Sequence, residues 1–180
     1  MRRVIITFVM LALAAIFAAP SAVAASPHFK KGGSPTCTIT GSTSKSTTCT
    51  ATLAGLGQQD LVVTTSTNGF ALYQCQNAGG NVAPGQNTVL VGPATSTTSI
   101  PADQIKNGNL TFTTNPAVLT APPTVSAQVA GYPNNNWTGV NPTLTLTSIT
   151  LTIEQPPGTV IFNCSASNPN GLSGTVALSC

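Results

Sequence analysis

Glycine and proline recur so densely along this chain that few stretches could hold a helix of average length. The 180 residues include 16 glycines and 14 prolines. Gly79-Gly80, Pro84-Gly85, Gly92-Pro93, Asn107-Gly108, Pro122-Pro123 and Pro156-Pro157-Gly158 read as turn signals between Thr-rich runs. The main stretch free of them, Thr143–Gln155, alternates β-branched and apolar residues with the period of a strand.

The runs between the turns predict strands at Thr36–Thr40, Thr47–Leu53, Asp60–Thr67, Phe70–Gln76, Thr88–Val91, Leu110–Thr114, Thr124–Ala130, Thr143–Glu154, Thr159–Cys164 and Thr175–Cys180. Asn68-Gly69 has the composition of a two-residue hairpin turn. About nine short antiparallel strands with frequent turns predict an all-β fold, an immunoglobulin-like two-sheet antiparallel β-sandwich. A barrel or jelly roll is the alternative. The longest strand carries a phase break. Leu occupies even positions through Thr143–Thr147, whereas Ile149, Leu151 and Ile153 are odd. Side chains alternate faces with period two, so the strand needs a bulge near Ser148 or a bend from one sheet to the other.

The N-terminus predicts export. Met1-Arg2-Arg3 is basic, Val4–Ala19 is an apolar run of 16 residues, and Ala22-Val23-Ala24 fits the small-x-small cleavage rule. The expected organisation is a signal peptide at 1–24, a flexible tail at 25–35 and one β-sandwich domain at 36–180. No transmembrane segment is expected after cleavage, and the expected location is extracellular or cell-surface-associated. Charged residues make up 5% of the chain, against about 25% in an ordinary domain. After cleavage four lysines face three acids, a net charge of +1. This excludes a nucleic-acid binder and an acidic disordered tail, and leaves most hydrolytic mechanisms without their ionisable groups.

Five cysteines follow the leader, so one is left over when two bridges form. Folding Cys37–Cys49 about Thr43 places those two opposite each other. Folding about Leu172 does the same for Cys164 and Cys180, leaving Cys75 as the free thiol. A competing arrangement joins Cys75 to Cys164 across two sheets and frees Cys180. No cysteine pair has metal-ligand spacing, and His28 lies in the tail.

Asp60, Asp103 and Glu154 are scattered and read as turn or cap residues, without the paired arrangement that glycoside chemistry uses. A nucleophilic Ser or Cys would have to recruit His28 from the tail. No catalytic residue, metal or cofactor is expected. Gln74–Asn87 is amide- and glycine-rich, either a surface loop held by its own hydrogen bonds or a recognition loop. Tyr132-Pro-Asn-Asn-Asn-Trp-Thr138 holds the only Trp. It either plugs one end of the core or offers Tyr132, Asn134, Asn135, Asn136 and Trp137 as ligand contacts.

Gln74–Asn87, Ile105–Thr111 and Pro133–Thr138 together resemble a group of secreted actinobacterial β-sandwich proteins of uncharacterised function. The resemblance covers the central region. It implies that the position of Tyr132 is often Cys, paired with the position of Cys75. Tyr here would account for the odd cysteine. The expected function is a non-enzymatic module that binds an extracellular protein or cell-wall partner, within a secreted assembly or the envelope. The alternative is a carbohydrate-binding domain using the Trp137 loop.

Overall fold

In the computed structural model, the described residues are 26–180. The leader expected at 1–24 lies outside them. Eleven strands follow in order: β1 (His28–Phe29), β2 (Thr36–Thr40), β3 (Ser44–Ala54), β4 (Leu61–Asn77), β5 (Val82–Ile100), β6 (Leu110–Thr113), β7 (Ala117–Thr120), β8 (Val125–Ser126), β9 (Trp137–Glu154), β10 (Val160–Ser167) and β11 (Gly174–Ala177). A single 3-10 turn, Ala102–Gln104, follows β5. The described residues contain no α-helix, as the spacing of glycine and proline requires.

The strands form two antiparallel sheets, the sandwich expected from the sequence. In the first, β3 is central. β1 and β2 lie along one edge and β6 and β7 along the other, with β11 outside β2. The second runs β10–β9–β4–β5, with β8 on the β10 side of β9. The facing sides of β3 (Cys49, Ala51, Leu53), β4 (Leu61, Val63) and β9 (Ile149, Leu151, Ile153) are buried and make the main core. Burying each large aliphatic side chain contributes about 1.5–3 kcal/mol.

Two features lace the open sides. Asn115, between β6 and β7, donates its backbone N–H to Thr98 Oγ1 (2.7 Å) and its amide to the Thr97 carbonyl of β5 (3.0 Å). On the opposite side Ser165 and Ser179 exchange backbone hydrogen bonds of 2.8 and 2.9 Å, beside the Cys164–Cys180 disulfide. This bridge ties the segment after β11, a strand of the first sheet, to β10 in the second. Cys37 and Cys49 are directly opposed in the β2–β3 hairpin and are also bonded. Cys75 is free and buried, so the Cys75–Cys164 arrangement is not formed.

Several expectations are corrected. Asn68-Gly69 is not a turn, because β4 runs through it for 17 residues. Gly69 does not have the positive φ that a hairpin turn demands. It is needed because β9 passes so close that a Cβ there would collide with the Thr145 carbonyl oxygen. At this level β9 carries one extra residue: Asn68 pairs with Ser148 but Gly69 with Leu146, so Thr147 bulges. That bulge resolves the phase break and puts Leu144, Leu146, Ile149, Leu151 and Ile153 all inside. Some strands are also longer than expected. β5 spans 19 residues and passes through Pro84-Gly85 and Gly92-Pro93. It is an edge strand paired only with β4, where missing N–H donors are tolerated. Gln74–Asn87 is therefore mostly strand, with a turn only between Asn77 and Val82. Thr124–Ala130 shrinks to Val125–Ser126, and β7 is a strand that the sequence reading missed.

The tail at 25–35 is not free either, over its described residues. His28 pairs with Ala54 and Phe29 with Leu53. Phe29 meets Phe162 with ring centroids 4.4 Å apart. Burial of an aromatic face holds the segment against the sheet despite its glycines and prolines.

Candidate functional site

Beyond the Gly69 level, β4, β5 and β9 continue as an extension with a second, smaller core. Ala71, Tyr73, Cys75 and Leu144 face Leu119, Ala121 and Ala130. The segment from Leu119 to Tyr132 folds over this face. Tyr73 Oη donates to the Pro122 carbonyl at 2.8 Å, and burial pushes its phenol pKa up from the usual 10. Ala130 O accepts from the backbone N–H groups of Gln86 (2.8 Å) and Asn87 (3.2 Å). Gly139 of β9 is buried beside β8, where a Cβ would stand 2.5 Å from Val125 Cγ2.

Two turns meet at the tip of this extension. The first joins β4 to β5. Asn77 Oδ1 accepts from Asn81 N (2.9 Å) and Asn77 O from Gly80 N (2.9 Å), with Gly80 at φ +80°. The second precedes β9. Asn134 Oδ1 accepts from Asn136 N at 2.9 Å, and Asn134 O from Trp137 N at 3.2 Å. Asn is suited to both places because its side chain mimics a backbone carbonyl. Asn77 and Trp137 are partners in the β4–β9 register, so the sheet itself brings the two turns together.

Between them lies an open cleft of about 470 Å³ lined by Asn77, Ala78, Gly79, Asn134, Asn136 and Trp137. Trp137 is half-buried: it packs on the second core and also lines the cleft. It therefore packs against the core and still keeps part of its ring open to the cleft. Tyr132 supports it from behind, ring centroids 4.5 Å apart at 38°. Of the expected contacts, Asn134, Asn136 and Trp137 line the cleft. Tyr132 does not line the cleft but packs against Trp137, and Asn135 is exposed and does not line the cleft. Asn77, Ala78 and Gly79 were legible only as part of an amide-rich loop.

The acids sit elsewhere. Asp60 precedes β4, Asp103 lies in the 3-10 turn after β5, and Glu154 ends β9. The register pairs Leu61 with Ile100 and Val62 with Glu154, so all three share the far end of the second sheet. At about 3.3 Å per residue, β4 puts roughly 50 Å between that end and the cleft. Asp60 Oδ1 accepts from Ala102 N (2.9 Å) and Glu154 Oε2 from Gly158 N (2.8 Å), both turn-holding bonds. Among the described residues no group of three His, Cys, Asp or Glu is placed to hold a metal ion. No helix among them is long and apolar enough to cross a membrane.

No protein-family model matches the chain, and no curated protein matches it. One solved structure, the X-ray structure of Northeast Structural Genomics Consortium target SoR45, aligns with 82% of this chain and 90% of its own. The identity is 17% and the TM-score 0.25, too low to bear on fold or function.

Proposed function

We infer that this chain is an exported, non-enzymatic recognition module, free or attached to the envelope or a larger secreted assembly, with its binding site at the Trp137 tip. The observation that carries this reading is the convergence there of two amide-rich turns, 77–81 and 132–137, on one half-buried aromatic ring. Two internal disulfides fit an oxidising, extracellular location. Acid–base chemistry requires a titratable group within hydrogen-bond reach of the reacting atom. None of the six cleft-lining residues supplies one, and the carboxylates are at the other end. The test is retention of the protein by envelope and culture-supernatant fractions. Trp137→Ala loses retention while its melting transition stays cooperative; undiminished retention refutes the site.

A second surface favours a protein partner. Leu90 is 88% exposed on β5, directly opposite Phe70 on β4, with Leu72 next on the same face. Leu90, Phe70 and Leu72 side by side on one face form a small apolar patch, and a protein partner is the kind of ligand that would cover it. Leu90→Lys loses retention in this case, and Trp137→Ala does not.

A further inference from the structure

The proposal here rests on the tip being the recognition site and concerns the chemistry of what it takes. Asn77 and Asn134 each commit the side-chain oxygen to their own turn, at 2.9 Å from Asn81 N and Asn136 N. That leaves the NH2 ends, which have no hydrogen-bond partner among the described residues, as the groups these two offer. An amide NH2 is a donor only. The ligand therefore presents acceptor oxygens to the cleft.

Charge narrows the class further. No lining residue is ionisable, so the cleft holds no cation to pair with a phosphate or carboxylate, and no carboxylate to pair with an amine. Trp137 supplies an apolar ring edged by these donors, an arrangement suited to a ligand with a C–H face and polar rim. A peptide strand fits less well. It brings one N–H of fixed direction for every carbonyl, and Asn136 Oδ1 is the one lining side-chain oxygen with no partner among the described residues to accept from it. A sugar hydroxyl rotates, and in an open cleft it turns its hydrogen to water. The strongest neutral acceptor found on sugars is the carbonyl oxygen of an acetamido group, and its methyl adds apolar area that an aromatic ring can cover.

We propose that the Trp137 cleft binds a neutral glycan bearing acetamido groups, its carbonyl oxygens taken by the Asn77 and Asn134 amides and its apolar face laid on the indole. Trp137 is the only Trp of the chain, so its emission reports the site directly.

The experiment is a fluorescence titration of the purified protein with triacetylchitotriose and cellotriose, which share ring and linkage and differ in the acetamido groups. The expected result is a saturable change in emission, with triacetylchitotriose bound at least about tenfold more tightly. The binding is the same in low and high salt, because no charge pair contributes. Asn77→Asp and Asn134→Asp separate holding the turn from holding the ligand. A carboxylate still accepts the Asn81 or Asn136 N–H but cannot donate. Each variant keeps the wild-type melting transition and loses binding by at least about tenfold. Equal affinity for the two sugars, wild-type binding by both Asp variants, or no saturable change with either sugar overturns the proposal. If no sugar binds but Trp137→Ala still abolishes retention by the fractions, the glycan falls and the tip stands. If Trp137→Ala changes neither, both fall.

Discussion

Among the described residues, two hydroxyls in the main core have no hydrogen-bond partner, and removing them stabilises the protein. Thr47 on β3 and Thr65 on β4 are fully buried, and neither Oγ1 meets a donor or acceptor. Leaving a buried hydroxyl unsatisfied costs about 1–3 kcal/mol. Valine keeps the branching and shape and replaces the hydroxyl with a methyl group, so β-propensity is unchanged. Each of Thr47→Val and Thr65→Val gains about 1 kcal/mol, and the double variant about 2 if the sites are independent. For a domain of this size 1 kcal/mol moves Tm by about 2–4 °C, so the double variant melts roughly 4–8 °C higher. Thr67→Val is the control. Thr67 is equally buried, but its hydroxyl donates to the Ala94 carbonyl at 3.4 Å, so the change is neutral or destabilising by up to ~1 kcal/mol. Urea and thermal melts followed by near-ultraviolet circular dichroism read all four. A loss above ~1 kcal/mol at Thr47 or Thr65 refutes the reasoning, since it requires a hydrogen-bond partner such as a water held between the sheets.

Other outcomes follow from the same packing. Gln155 is buried, its Nε2 donating to Gly57 O and Gln59 O at 2.9 Å each and its Oε1 accepting from Gly57 N at 3.1 Å. Gln155→Ala costs about 2–4 kcal/mol in urea unfolding; a loss below ~1 contradicts this. Cys180 is exposed, whereas Cys37 and Cys49 are fully buried. Limited reduction with alkylation mapping therefore opens Cys164–Cys180 first, and simultaneous opening of both bridges counts against it. Burial raises the Tyr73 phenol pKa, so its contribution to stability is complete below the unfolded value of about 10 and is lost as pH rises through the folded one. Tyr73→Phe loses about 1 kcal/mol at neutral pH and shows a smaller decline above pH ~10; parallel declines refute the assignment.

Fold class was legible because it depends on local chemistry. Thr, Val and Ile alternate between turn residues, and that pattern needs no knowledge of neighbours. The Cys37–Cys49 bridge was legible for the same reason, as symmetry about Thr43 sets the hairpin register. The phase break near Ser148 could be read from the Leu-to-Ile change, but whether a bulge or a bend repairs it was settled only by the β4–β9 register. What was not legible depends on contacts distant in sequence. Asn68-Gly69 has the same composition whether it turns the chain or admits the Thr145 carbonyl, and only the position of β9 decides. The prolines of β5 look like breaks until its status as an edge strand is known. Phe29 looks like part of a free tail until Phe162 is placed against it. The cleft is of this kind too. Asn77 and Trp137 are 60 residues apart, and neither segment carries a sign of the other until the β4–β9 register aligns them.

Amide hydrogen exchange, measured on the protein alone and on the protein held by the fraction that retains it, tests the central claim that binding occurs at the tip. The account predicts slowed exchange in residues 77–81 and 134–138, with the outer sheet faces unchanged. Slowed exchange around Leu90 on β5, with the two tip turns unaltered, would contradict it.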